Sequence, residues 1–233
     1  MRTLGIITAR GGSKGIPRKN IKPLCGKPLL CYTAEAALAA RRLNRVVLTT
    51  DDEEIAEVGR RYGVDVPFLR PKELAQDDTP SLLVVQHAVA FLEERAQRYD
   101  VICLLQPTSP LRTSADIDGC IELLEESGAD AVVSIVTVPI QFNPHKLYLQ
   151  DQEGFLHLIT GEREPIPRRQ DIPPAFRRDG SVYLTRRDVV MKDHSLYGKR
   201  VKGFLMNGDR SVDIDGPEDW DTAERMLASE SSR

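Results

Sequence analysis

Ile6-Ile7-Thr8-Ala9-Arg10-Gly11-Gly12-Ser13-Lys14-Gly15-Ile16-Pro17-Arg18-Lys19-Asn20 is the stretch on which the fold turns. A short apolar run, Leu4 to Ile7, opens into a loop with three glycines, a serine and four cations. Gly11, Gly12 and Gly15 carry no Cβ, so backbone N–H groups there can turn inward and approach a ligand closely. Arg10, Lys14, Arg18 and Lys19 add positive charge to the same loop. A strand that ends in a glycine-rich cationic loop is one way a chain cradles a polyphosphate. Neither common phosphate signature is present: there is no G-x-x-x-x-G-K-S/T, and the glycines are not spaced as G-x-G-x-x-G. On composition alone, a flexible surface loop with solvated charges stays open as the alternative.

Outward from this loop, the first 136 residues alternate strand and helix. Leu4–Ile7 reads as a strand and Leu29–Leu43 as an alanine-rich helix. Arg45–Thr50 is β-branched and reads as a second strand. Asp52 caps a helix carrying Ile55, Val58, Gly59 and Tyr62 on one face, and Gly63 ends it. Thr79 with Pro80 is the pattern of an N-cap followed by proline at the first helical position, opening a helix to about Gln97. Val101–Leu105 is a continuous apolar strand. Ile117, Cys120, Ile121 and Leu124 stripe the next helix, which Gly128 closes before the strand Ala131–Val136. Such alternation predicts a mainly parallel sheet with helices on both faces, and a ligand beyond the carboxyl ends of its strands.

The rhythm breaks after Val136. Pro139 and Asn143-Pro144 interrupt it, and Lys146–Gln150, Asp151–Gly154 and Phe155–Ile159 read as a hairpin. Gly161 to Pro174 is rich in proline and charge and reads as a loop. Ser181–Thr185 and Arg200–Met206 read as further strands. Residues 137–175 and 187–206 therefore look like an excursion from a core made of 1–136, 176–186 and 207–233. From Ser229 the polar tail reads as disordered.

The chain has 233 residues, 41% hydrophobic and 29% charged, enough for one sizeable α/β core. A formal net charge of −3 argues against nucleic acid as the main partner. No apolar run resembles a signal peptide or a membrane span. Cys25, Cys31, Cys103 and Cys120 are irregularly spaced, and the apolar neighbours of the last three suggest buried thiols in a reducing cytoplasm.

Asp213 and Asp215 are the sharpest chemical signal after the loop. Two apart on a strand, their carboxylates project together while Val212 and Ile214 face the core. Paired carboxylates suit Mg²⁺, which completes its shell with waters and phosphate oxygens; a solvated strand end before the Gly216-Pro217 helix start is the alternative. Gln106 to Arg112 holds two prolines, two hydroxyls, an amide and a guanidinium, a stiff polar loop that can face a sugar or base, or merely form a turn. Arg168-Arg169-Gln170 and Phe176-Arg177-Arg178-Asp179-Gly180 are densely basic, and arginine's planar fork suits a substrate carboxylate. His87, His145, His157 and His194 show no ligand spacing, and nothing pairs a Ser or Cys nucleophile with a His.

The order Ala9-Arg10-x-Gly12-Ser13-Lys14-Gly15-x-Pro17-x-Lys19-Asn20, then Gly26-Lys27-Pro28-Leu29, resembles the opening of the acylneuraminate cytidylyltransferases, the CMP-sialic acid synthetases. Thr49-Thr50-Asp51-Asp52, Leu69-Arg70-Pro71, the run from Leu104-Leu105-Gln106-Pro107-Thr108-Ser109 to Arg112, and Val212-Asp213-Ile214-Asp215 are similar to later blocks of that family, in its order and over nearly the whole chain. Thr8 and Thr49 depart from residues usual there without removing a charge.

The resemblance implies a Rossmann-like nucleotidyltransferase sheet with a small dimerisation domain that leans over the partner's active site. It implies transfer of CMP from CTP to the anomeric hydroxyl of a nine-carbon α-keto acid sugar. Arg10, Lys14, Lys19, Asp213 and Asp215 would be catalytic, with Mg²⁺ on the two aspartates. Ala9, Arg10, Gly11, Gly12, Ser13, Lys14, Lys19, Asn20, Arg70 and Ser81 would bind the nucleotide. Gln106, Thr108, Ser109, Lys146, Arg169, Gln170 and Tyr183 would bind the sugar, Arg169 holding its carboxylate. Asp179 is a departure from the family, in which asparagine is usual before the glycine. The shorter-sugar 3-deoxy-manno-octulosonate branch has A-R-x-x-S-x-R-L-P-G-K-P loops, unlike the separate Lys19-Asn20 and Gly26-Lys27-Pro28 here. A non-catalytic nucleotide-binding relative is the alternative from another class.

Overall fold

A strand whose inner positions are all apolar cannot face water on either side, so it belongs in a sheet covered on both faces. In the computed structural model, which describes residues 1–231, this is the arrangement of β1 (Thr3–Thr8), β4 (Arg45–Thr49) and β5 (Val101–Leu105). All three are parallel, with Ile6 opposite Val47 on one side and Leu104 on the other. Between β1 and β4 lie a two-residue hairpin, β2 (Pro23–Leu24) with β3 (Lys27–Pro28), and the helix α1 (Leu29–Ala39). The helices α2 (Glu53–Arg61), α3 (Ser81–Glu93) and α4 (Ser114–Ser127) follow, then β6 (Ala131–Thr137). The small hairpin β7 (Tyr148–Gln150) with β8 (Leu156–Leu158), then β9 (Phe176–Arg186), α5 (Arg187–Met191), β10 (Val201–Leu205) and α6 (Pro217–Ser231) complete the chain. The central sheet has six strands in the order β10-β6-β9-β5-β1-β4.

Two apolar clusters cover its faces. Ile7, Leu48, Leu105, Leu124 and Leu184 belong to one, and Leu4, Ile6, Val85, Leu92, Ile102 and Val190 to the other. A third cluster, with Ile16, Leu24, Leu111, Val212, Ile214 and Trp220, lies under the loop that follows β1. Each fully buried aliphatic side chain contributes roughly 1.5–3 kcal/mol of transfer free energy, so this third cluster fixes the loop to the 212–214 segment.

Local signals account for most ends. The Asp52 side chain accepts from the Ile55 N–H to start α2, and Gly63 follows with φ of 81°. Thr113 and Asp116 form a capping box for α4, and Gly128 ends it in the left-handed conformation. Cys31, Cys103 and Cys120 are buried free thiols, and Cys25 is exposed.

Several expectations are corrected. α1 stops at Ala39 rather than Leu43, because Ala40 is extended and the Arg41 and Arg42 N–H groups donate to the Asp118 carboxylate. Pro80, not Thr79, occupies the N-cap of α3, and no side chain caps it. That helix ends four residues before Gln97, where Ala96 turns left-handed and the Gln97 N–H closes on the Leu92 carbonyl. β9 begins at Phe176, five residues before the expected Ser181, and runs antiparallel between β5 and β6. Residues 187–206 are not part of the excursion: Val190 of α5 is fully buried in the second face and β10 is the edge strand beside β6. The polar tail starts inside α6, where the Ser229 hydroxyl donates to the Met226 carbonyl; its last two residues lie outside the described residues. Among the described residues, no helix is long and apolar enough to cross a membrane.

Candidate active site

The loop after β1 leaves the carboxyl edge of the sheet and is held from three sides. The Gly11 N–H donates to the Asp51 carboxylate at 3.0 Å, and the Asn20 amide donates to the Arg10 carbonyl at 2.9 Å. Gly15 lies so near the 213–215 segment that a Cβ there would stand 2.2 Å from the Asp215 carbonyl oxygen. That contact is backbone, so only glycine fits without displacement. Arg18 turns away from the others, with left-handed φ, and pairs with Asp52 and Glu54.

The remaining cations face a cleft of about 350 Å³ at this edge. Its walls include Arg10, Ser13, Lys14, Gly15, Lys19 and Asn20 from the loop, with Arg70, Ser81, Gln106, Thr108 and Asp215 from four other segments. The cleft thus gathers ten of the expected site residues, drawn from parts of the chain up to 205 positions apart (Arg10 and Asp215). Ala9 is buried beneath it, its N–H bonded to the Thr49 carbonyl. Gly11 and Gly12 shape the loop without lining the cleft.

Arg70 is 5% exposed, and its Nε and Nη2 have no hydrogen-bond partner. Asp51 stands 3.6 Å from Nη2, too far for a hydrogen bond. Burial pulls this guanidinium below its ordinary pKa, against the Asp51 charge. A buried cation with unused donors on a cleft wall is costly unless a ligand completes it.

Asp213 and Asp215 both turn outward, alternating with the buried Val212 and Ile214, but the segment is an extended loop rather than a strand. A single ladder-like bond, from the Ile214 N–H to the Thr108 carbonyl, sets its alternation. The Lys19 ammonium donates to the Ile214 carbonyl at 2.6 Å and lies 3.8 Å from Asp215. Burial lowers the Lys19 pKa even though both aspartates oppose the shift. Asp213 titrates above the usual carboxylate range, first through burial, then through the Asp215 charge; a Thr108 hydrogen bond and Lys19 work against this. Two mutually repelling carboxylates with only oxygen donors are a donor set that fits a hard divalent cation using phosphate and water for its other positions.

A second hollow of about 460 Å³ shares Ser81 and Gln106 with the first. Arg178, Tyr183, His194 and Tyr197 are among its walls. Arg178 stacks over the Tyr197 ring and donates to its hydroxyl, and the His194 Nδ1 lies 2.8 Å from the Gln86 amide. Of the expected sugar-side residues, Gln106 and Tyr183 meet here. Ser109 is buried behind Gly180 and lines neither hollow. Asp179 is turned inward, its carboxylate taken by the Ser181 N–H and hydroxyl. Lys146, Arg169 and Gln170 are not brought to this site: they sit exposed on the 137–175 excursion.

Residues 4–231 match the model of a family described as Cytidylyltransferase. The chain belongs to the cytidylyltransferase family. It is 33% identical to the CMP-N,N'-diacetyllegionaminic acid synthase of Legionella pneumophila, over 97% of both chains. It is 31% identical to the pseudaminic acid cytidylyltransferase of Campylobacter jejuni, over 96% of this chain and 95% of the other. A solved CMP:2-keto-3-deoxy-manno-octonic acid synthetase complexed with CTP shares the fold, with a TM-score of 0.72, 16% identity, and 99% and 100% of the two chains covered.

This cytidylyltransferase is a nucleotidyltransferase whose site also uses residues with no role assigned to them from the sequence. Asp51 ties Gly11 beside Arg70, although Asp51-Asp52 reads locally as no more than a helix start. Asp77 reads as one of two acids before α3, yet it reaches Arg10 at 2.7 Å and Lys14 at 2.8 Å. No spacing rule connects positions 10, 14 and 77. For the second hollow the sequence signals are Gln106, Tyr183 and the arginines before Gly180.

Proposed function

We propose that this cytidylyltransferase transfers CMP from CTP to the C2 anomeric hydroxyl of a nine-carbon α-keto acid sugar, a nonulosonic acid, with release of pyrophosphate. What carries the reading is one cleft at the sheet's carboxyl edge that Arg10, Lys14 and Lys19 of the loop share with a buried unsatisfied arginine and with Asp215, Asp213 standing two positions away. The relatives named for legionaminic and pseudaminic acids support the sugar class.

In this reading Arg10, Ser13 and Lys14 bind the triphosphate and Arg70 completes its donors on the nucleotide. The sugar lies in the adjoining hollow against Gln106 and Tyr183. Held in line, the C2 hydroxyl oxygen attacks the α-phosphorus and gives up its proton to water while the bond to the α,β-bridging oxygen breaks and pyrophosphate leaves, so no covalent enzyme intermediate is needed. Lys19, held at the 213–215 segment, offsets negative charge beside the attacked phosphate. Asp213 and Asp215 would hold Mg²⁺, which supplies neutralisation of phosphate charge when bound.

The excursion bears Phe142, Leu149, Phe155 and Leu156, each more than 60% exposed. A two-stranded hairpin cannot carry such a surface alone. The protein is therefore read as a homodimer in which Lys146, Arg169 and Gln170 serve the partner's sugar site. Three buried free thiols fit a cytoplasmic setting.

Incubation with CTP, Mg²⁺ and a panel of acids, with pyrophosphate release as the readout, tests the reading. The panel holds N-acetylneuraminate, its deaminated form, legionaminate, pseudaminate and 3-deoxy-manno-octulosonate. Turnover with a nine-carbon acid is expected. Turnover with the octulosonate alone, or with none, would reject it.

A further inference from the structure

Of the four cations in the glycine loop, Arg18 is committed to Asp52 and Glu54, and Lys19 to the 213–215 segment. Arg10 and Lys14 line the cleft beside Lys19, and these two are held by one carboxylate. Asp77 spans them, one oxygen 2.7 Å from Arg10 and the other 2.8 Å from Lys14. A bidentate anion between two cations occupies the position that the loop offers to phosphate oxygens.

Asp77 is not needed to shape the loop. Asn20 on the Arg10 carbonyl, Asp51 on the Gly11 N–H and the close packing of Gly15 against Asp215 do that. Its side chain is 40% exposed and can rotate into water. Half-exposed pairs of this kind are weak and salt-screened, whereas a polyphosphate brings several charges and acceptors to the same cations. Phosphate therefore displaces Asp77, and Asp77 returns as phosphate leaves.

The geometry points to Asp77 as a resident competitor of substrate phosphate for Arg10 and Lys14, setting the affinity of the cytidylyltransferase for CTP and for its pyrophosphate product. The inference rests on the reading of the loop as the triphosphate site. Its consequence is that removing the carboxylate tightens binding, the opposite of what loss of an ordinary site residue does. Because substrate and product phosphates meet the same competitor, both tighten together, and release of pyrophosphate slows.

The test is calorimetric titration of the full chain with inorganic tripolyphosphate and with pyrophosphate. Asp77→Asn is expected to bind both about three- to thirtyfold more tightly than the unaltered protein, as two partly exposed ion pairs allow, with the gain shrinking at high salt. Asp77→Glu restores the original affinity, and Asp78→Asn, which removes a neighbouring exposed charge outside the cleft, changes it much less. In turnover assays, pyrophosphate inhibits Asp77→Asn at correspondingly lower concentration. Tripolyphosphate binding that is unchanged or weaker in Asp77→Asn overturns the inference and leaves the loop assignment standing. An equal gain in Asp78→Asn also overturns it, because general charge would then be the cause. No tripolyphosphate binding by any of the proteins would overturn the loop assignment itself, and this inference with it.

Discussion

At the scale of single residues, Gly15 shows how one missing Cβ joins two parts of a site. The loop that carries the cations and the segment that carries the carboxylates touch backbone to backbone there, with room for hydrogen only. Gly15→Ala must push the Asp215 carbonyl away, and with it the neighbouring carboxylate and the Ile214 carbonyl that receives Lys19. Overpacking of this kind costs about 1–3 kcal/mol. The variant is expected to fold, with kcat/KM lowered at least about tenfold, since each 1.4 kcal/mol of lost positioning is a factor of ten. Steady-state kinetics alongside a thermal melt check it; unaltered kinetics with an unaltered melt would remove Gly15 from the argument. Arg70 makes the complementary point: its unused buried donors become intelligible only as contacts awaiting a ligand.

Among the elements, α4 does more than cover the sheet. Its capping residue Asp116 is 6% exposed and also accepts from the Arg210 guanidinium at 2.9 Å, three positions before Asp213. Arg210 in turn donates to the Leu111 carbonyl, and the buried Arg112 donates to the carbonyls of Gln106 and Ser181. The start of α4 and the arginine just before it thus hold the Gln106 loop, Ser181 of β9 and the aspartate segment in register. Arg210 and the Thr113 bonds outweigh burial, the largest single effect on Asp116, and keep its carboxyl below the ordinary value of 3.8. A carboxyl depressed on folding contributes stability that is present above that ordinary value and is lost as pH falls through the folded value. Asp116→Asn should therefore be less stable by about 1–3 kcal/mol at neutral pH. The difference should shrink toward zero in strong acid, where Asp116 is itself protonated. Urea melts at neutral and acid pH measure this; a difference that stays constant across the range would show that the charge is not what matters.

For the whole molecule, the 137–175 excursion is the part that a single chain leaves unfinished. Exposed Phe142, Leu149, Phe155 and Leu156 have no cover within the chain, and three expected sugar-site residues stand away from its cleft. Light scattering at micromolar concentration is expected to give about twice the 26.1 kDa of one chain; a monomer mass would reject the dimer. Arg168 is tied to Asp171 at 2.7 Å, while Arg169 makes no ion pair among the described residues and is left available. Arg169→Lys should weaken binding of the acid by about 1–3 kcal/mol because lysine lacks the bidentate fork. CTP affinity should barely change, and Arg168→Lys should matter less. If Arg168→Lys is the more damaging, the carboxylate is held one position earlier than read here.

The linear chain by itself determined the βα alternation, the glycine loop at the first strand's end and the outward pairing of Asp213 and Asp215. Those features follow from local periodicity and glycine chemistry, which neighbouring residues settle among themselves. Only the tertiary structure decided that β9 runs antiparallel through the sheet, that β10 joins its edge rather than the excursion, and that the aspartates lie on an extended loop. It alone brought Asp77 to Arg10 and Lys14, and left Arg169 outside its own cleft. Each of these depends on which distant segments share a hydrogen-bond ladder or a charge pair, and spacing along a chain carries no record of contacts across 60 or 200 residues such as Lys14 with Asp77 or Gly15 with Asp215.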